Sequence, residues 1–113
     1  MKTDITIIIP CYNCQDTLRE AVESCFVQNL RNFEIVMVDD CSTDKTKEVM
    51  QTLAKEKPQI KLFYHDSNRG GGAARNTAVQ HAQSDFIFCL DGDDILPKNV
   101  LSRMLTYIQE KKC

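Results

Sequence analysis

The sequence predicts an α/β fold: a Rossmann-like parallel sheet in strand order 3-2-1-4 with helices on both faces. Two observations carry this expectation. Apolar β-branched runs alternate with segments of helical periodicity, in the order β-α-β-α-β-α-β-α, over 113 residues. That alternation is what a parallel sheet with crossover helices requires, and the right-handedness of such crossovers restricts the strand order. The polar residues are also grouped, each group following the C-terminal end of an apolar run.

The elements follow in order. Ile5 to Ile9 is a β-branched run of the kind buried on both faces of a sheet. Leu18, Ala21, Val22, Cys25 and Phe26 recur at helical spacing. Phe33 to Val38 is the second buried strand. Val49, Met50, Leu53 and Ala54 mark the second helix, with Ser42 or Asp44 as capping candidates and Pro58 beyond its end. Ile60 to Tyr64 is the third strand. Ala74, Ala78 and Ala82 line a third helix with side chains small enough to approach a sheet closely. Phe86 to Leu90 is the fourth strand. Pro97 fits a first helical position, and Val100, Leu101, Met104, Leu105 and Ile108 form one apolar face after it. No repeat, low-complexity segment or interdomain linker interrupts the chain, so residues 1–113 read as one unit.

Hydrophobic residues make up 42% and charged residues 27%, with a formal net charge of −2. This is ordinary globular composition. No basic stripe points to nucleic acid, and no apolar run is long enough to span a bilayer. Six cysteines (Cys11, Cys14, Cys25, Cys41, Cys89 and Cys113) raise the question of a disulfide framework. Met1 to Asp4 has no apolar leader, and Cys25 and Cys89 sit on apolar faces where they should act as small buried hydrophobes. The expectation is a reduced, cytoplasmic protein.

Four polar segments follow the four strands: Pro10-Cys11-Tyr12-Asn13, Asp39-Asp40-Cys41-Ser42, Asp66 to Arg75, and Asp91-Gly92-Asp93-Asp94. In an open parallel sheet these ends share one edge, where ligands bind. Three carboxylates in four residues after a buried strand repel one another unless a cation compensates. A hard divalent ion would do so and would also bridge nucleotide phosphates; a solvated acidic turn is the alternative. Asp39 or Asp40 is positioned to accept from a base or ribose, or to cap the following helix. The run Asn68-Arg69-Gly70-Gly71-Gly72 opens a helix, letting backbone approach an anion. Arg75, a cation in the first helical turn, is unfavourable for the helix dipole without an anion nearby. Tyr12 is placed to stack on a base or to pack on its neighbours. His65 and His81 stand apart from any second ligand in the sequence and receive no role.

These four ordered segments resemble the signature segments of family 2 glycosyltransferases with the GT-A fold, and the resemblance covers essentially the whole chain. It implies inverting transfer from a nucleotide diphosphate sugar, a UDP-sugar foremost, assisted by Mn2+ or Mg2+, to a glycan or lipid-linked acceptor. On this resemblance Pro10, Tyr12, Asn13, Asp39, Asp40, Gly72, Arg75, Asp91 and Gly92 would form the donor site. Tyr12 and Asp40 would hold the base, Asp91 would approach the ribose, and Asp93 with Asp91 would bind the metal. In the family the acceptor site and the base carboxylate lie downstream of the acidic segment. No residue here matches that base, and Glu110, among Lys111 and Lys112, is a poor substitute. The expectation is therefore a donor-binding half without the base, which could expose apolar surface and self-associate. The full protein could sit at the membrane periphery.

Three other readings compete. Cys11-Tyr12-Asn13-Cys14 is a C-x-x-C between a strand and a helix, the placement of a thiol oxidoreductase motif, but this leaves the acidic and glycine-rich loops unexplained. A phosphoacceptor domain would want a lone aspartate and a strand-end lysine, which the sequence lacks. A non-catalytic interaction or assembly module is separated from the first reading by nucleotide binding.

Overall fold

The structure, a computed structural model, describes residues 3–30, 32–101 and 103–104. Seven elements alternate: β1 (Ile5–Cys11), α1 (Leu18–Phe26), β2 (Phe33–Asp39), α2 (Thr46–Glu56), β3 (Ile60–Tyr64), α3 (Gly71–Gln80) and β4 (Ile87–Cys89). All strand pairs are parallel and the order is β3-β2-β1-β4, as the alternation predicts. The register sets Ile7 against Ile35 and Phe88, and Ile35 against Ile60.

Strand alternation divides the core in two. Ile5, Ile7, Ile9, Ile35 and Met37 pack with Leu18, Ala21, Val22 and Cys25 of α1 and with Met50 and Leu53 of α2. Ile8, Val36 and Val38 face the other way, against Ala74 and Ala78 of α3. β1 and β2 are thus covered on both faces, which is why they read as continuous apolar runs rather than alternating ones. The small side chains of Ala74 and Ala78, both buried, let α3 sit close on the sheet. Arg19 of α1 holds Glu56 of α2 by two hydrogen bonds of 2.9 and 3.0 Å, across their exposed faces.

Several expectations are corrected. β4 is three residues long, although Phe86 O and Leu90 N still bond to Thr6 N and Ile8 O at 2.9 Å. Among the described residues it is an edge strand, and Cys89 is exposed rather than buried, because α3 packs over β1 and β2 and not over β4. α3 stops at Gln80, so Ala82 lies beyond it, in a turn where Ala82 N donates to Val79 O. Pro97 does not open a helix. Asn99 adopts a left-handed φ of 62°, which interrupts the right-handed path, and helical residues begin at Val100. Leu105, Ile108, Glu110 and Cys113 lie outside the described residues. No helix among the described residues is long and apolar enough to cross a membrane.

At the edge of the sheet where β1 and β2 begin, buried Glu34 gathers three partners. Its Oε2 accepts from Thr6 Oγ1 and Gln83 N, both at 2.6 Å, and Lys61 Nζ lies 2.9 Å from Oε1. Burial pushes this carboxyl up, but the donors outweigh it and hold it below its ordinary range.

Candidate functional site

At the opposite edge, the strand ends enclose a cleft of about 690 Å3, within the size range of small-molecule sites. Of the residues singled out in the sequence, Pro10, Tyr12, Asn13, Asp40, Arg75, Asp91, Gly92 and Asp93 line it. Asp39 and Gly72 do not.

The loops are fastened to one another before any ligand arrives. Asn13, at φ 49°, accepts from Thr43 N at 2.8 Å, while its own N–H donates to Ser42 Oγ at 3.0 Å. Ser42 in turn donates its hydroxyl proton to Asp39 Oδ1. Asp39 is buried and spends both oxygens on Ser42, so it shapes the β2 turn. Asp44 accepts from Thr46 N at 2.9 Å at the start of α2, and the Thr46 hydroxyl accepts from Cys14 N at 2.8 Å. The first two loops therefore form one bonded unit.

Asp40 binds the glycine-rich loop. Its Oδ1 accepts from Arg69 N at 2.9 Å and its Oδ2 from Gly70 N at 2.8 Å. Gly70, at φ 97° and ψ 162°, takes a conformation open to glycine and caps α3. The amides at the start of α3, at Gly71 and after, belong to a helix N-terminus that faces the cleft beside Arg75, an arrangement that favours anions.

His65, given no role from sequence, is the third partner of Asp40. Its Nδ1 lies 2.8 Å from Asp40 Oδ1 and its Nε2 lies 2.8 Å from Thr77 Oγ1. A carboxylate only accepts, so Nδ1–H donates to Asp40, and the Thr77 hydroxyl partners Nε2 on the other side of the ring. Burial pushes the Asp40 carboxyl up. The Arg69 and Gly70 amides and His65 outweigh that and hold it below the usual carboxylate range. A turn-forming segment after a strand gives no sequence sign of this contact, which spans 25 residues. His81, also without an assigned role, stacks on Phe63 with centroids 3.8 Å apart.

The acidic loop is fixed from beneath. Thr17 Oγ1 donates to Gly92 O at 2.9 Å, and Gly92 packs so closely that an added methyl would lie 2.7 Å from Cys14 Sγ. Behind the loop, Leu96 N donates to Ser24 Oγ and Leu101 N to Gln28 Oε1, both at 3.0 Å, and Gln28 Nε2 donates to Pro97 O at 2.7 Å. Ser24 and Gln28 of the α1 segment were not distinguishable from surface polar residues by sequence. This scaffold presents Asp91, Asp93 and Asp94, whose carboxylate oxygens can come within 4.8 Å of one another, all exposed. Three hard oxygen donors converging in this way fit a divalent cation of the Mn2+ or Mg2+ type.

The family model described as glycosyl transferase family 2 matches residues 6–113. The putative teichuronic acid biosynthesis glycosyltransferase TuaG of Bacillus subtilis is 35% identical over 112 residues, covering 99% of this chain and 44% of that protein. An uncharacterized glycosyltransferase of Haemophilus influenzae is 36% identical over 104 residues, covering 92% of this chain and 42% of its own length. The chain thus spans less than half of these relatives. Residues 1–349 of Staphylococcus aureus TarS, solved in complex with UDP-GlcNAc, superpose with a TM-score of 0.88 at 32% identity, covering 96% of this chain and 32% of that one. The mannosyltransferase PcManGT of Pyrobaculum calidifontis, solved with GDP-Man and Mn2+, gives 0.87 at 26% identity, covering 96% and 33%. The sheet and its helices are those of GT-A glycosyltransferases.

Proposed function

Because the chain belongs to glycosyl transferase family 2, we propose that residues 1–113 are its nucleotide-sugar-binding unit and that the cleft takes a nucleoside diphosphate sugar, a UDP-sugar first. The observation that carries the reading is the convergence, in one cleft, of an aromatic ring, a helix N-terminus with Arg75, and the Asp91 and Asp93 carboxylates of the acidic loop, with Asp94 beside them. These are the separate needs of a base, a diphosphate and a divalent ion. TarS was solved with UDP-GlcNAc on the same fold, which supports the choice.

Tyr12, 48% exposed, offers its ring to the base. Each carboxylate oxygen has two acceptor positions, and Asp40 Oδ2 has one internal partner against two on Oδ1. Among the described residues this leaves Oδ2 one acceptor position, which would take a ring N–H of the base. Arg75 has no ion-pair partner among the described residues, and with the start of α3 it would meet the diphosphate. Asp93, with Asp91, would hold Mn2+ or Mg2+; the bound ion would supply compensating charge for the diphosphate. Asp91 would also approach the ribose.

For the whole protein we propose inverting transfer to a hydroxyl of a glycan or lipid-linked acceptor, on the cytoplasmic side and peripheral to the membrane. The acceptor proton would pass to a carboxylate base outside these residues. The exposed β4 edge, with Ile87 open, is the surface through which these residues by themselves would self-associate. Calorimetric titration with UDP, GDP, CDP and dTDP in the presence of Mn2+ tests the base preference. A clear order led by UDP supports the reading, and equal weak heats from all four would defeat it.

A further inference from the structure

The donor-site reading makes no use of the two thiols in the cleft. β1 ends at Cys11, Asn13 turns the chain at φ 49°, and Cys14 returns beside it. The Cys11 thiol donates to the Ile9 carbonyl at 3.4 Å, and the two cysteines share one apolar cluster, Cys11 within it and Cys14 packed against it. Both cysteines are free and both line the cleft; Cys11 is buried and Cys14 half-buried. The two residues between them are Tyr12 and Asn13. On its other side the Cys14 sulfur fits against Gly92, where an added methyl would come within 2.7 Å. The pair is therefore continuous with the loop carrying Tyr12 and in contact with the loop carrying Asp91 and Asp93.

We propose that Cys11 and Cys14 are a redox switch on the cleft: as thiols they leave the two loops arranged for a nucleoside diphosphate, and as a disulfide they weaken its binding. The proposal rests on the nucleotide-binding reading above. The oxidant is a small-molecule disulfide of the glutathione class. The thiolate of Cys14, the more open residue, attacks one sulfur of that disulfide, forming a mixed disulfide and expelling one thiol. Cys11 then gives up its proton and attacks the Cys14 sulfur, expelling the second. Two protein thiols are oxidised to one disulfide, and one small disulfide is reduced to two thiols.

The consequence follows from packing. A covalent bond draws the sulfurs closer than two separate thiols approach. The Cys14 sulfur leaves its seat against Gly92, or the Tyr12-Asn13 turn shifts to accommodate it. Either movement displaces a loop that lines the cleft. By reciprocity, a nucleotide that prefers the reduced form must also favour reduction, by the same factor.

The test equilibrates the chain in buffers of stepped reduced-to-oxidised glutathione ratio. Thiol trapping and peptide mapping identify the disulfide, and titration with UDP and Mn2+ measures affinity in each state. The expected result is a Cys11–Cys14 disulfide, a loss of UDP affinity on the order of tenfold, recovery with dithiothreitol, and a midpoint moved toward the reduced form by UDP. In Cys14→Ser, UDP affinity should be the same in both buffers. Three results overturn the switch while leaving the donor site standing. The reduced chain binds UDP but the disulfide does not form, it forms without changing affinity, or the loss persists in Cys14→Ser. If the fully reduced chain binds no nucleotide, the donor-site reading fails and the switch fails with it.

Discussion

Asp40→Ala should unfasten the glycine-rich loop from the β2 turn. The carboxylate is 3% exposed and holds Arg69 N, Gly70 N and His65 Nδ1 at 2.8–2.9 Å. Removing an acceptor from a buried donor costs about 1–3 kcal/mol per orphaned group. Water can reach the two loop amides from the cleft, and relief of carboxylate desolvation offsets part of the loss, so we expect a net destabilisation of about 3 kcal/mol. Denaturant unfolding measures it, and hydrogen exchange at Arg69 and Gly70 locates it. The pH dependence has a definite sign. A carboxyl held below its unfolded value contributes stability that is complete above that value, near 3.8 here, and is lost as pH falls through the lower native value. The difference between the parent chain and Asp40→Ala should therefore be full at neutral pH and shrink in acid below about pH 3.8. A destabilisation under 1 kcal/mol with unchanged exchange at Gly70 would refute the reasoning.

Gly92→Ala forces a methyl to within 2.7 Å of Cys14 Sγ. It should cost about 1–3 kcal/mol and weaken metal-dependent nucleotide binding. Adding Cys14→Ala should restore part of the stability, as a double-mutant cycle of unfolding energies would show. Glu34→Ala leaves Gln83 N without its acceptor, while Thr6 keeps Ser84 and Lys61 can turn to solvent, and should destabilise by about 1–3 kcal/mol. Because it lies at the far edge of the sheet, nucleotide affinity measured well below the unfolding midpoint should stay within about twofold of the parent. Gln28→Ala frees Pro97 O and Leu101 N and should cost about 2 kcal/mol, with faster proteolysis between residues 94 and 101 as its local signature.

The sheet was legible because β1 and β2 are buried on both faces, and an apolar run with that burial has few other homes. The strand order was legible because parallel connections of one hand leave few choices. β4 misled: Cys89 looks like a core residue in the sequence, and only the edge position of its strand exposes it. The start of the last helix was misplaced because a proline suits a first turn, whereas Asn99, at φ 62°, sets the boundary. In the site, the clustering of polar residues at strand ends was visible, but their division of labour was not. Asp39 and Asp40 are neighbours of one type in the sequence. The first is consumed by Ser42, while the second reaches across 29 and 30 residues to Arg69 and Gly70. His65 looked isolated because its partners come from distant parts of the chain: the pairing of β2 with β3 sets Asp40 beside it, and the packing of α3 on the sheet brings Thr77.

The most direct test of the donor-site account is the linkage between metal and nucleotide at Asp93. UDP is titrated into the chain with Mn2+, with chelator, and into Asp93→Ala under both conditions. Asp93 is exposed, so the substitution should leave the unfolding midpoint unchanged. We expect Mn2+ to raise UDP affinity about tenfold or more in the parent chain and to have no effect in Asp93→Ala. Equal UDP affinity in all four titrations would contradict the assignment of this cleft to a metal-assisted nucleoside diphosphate.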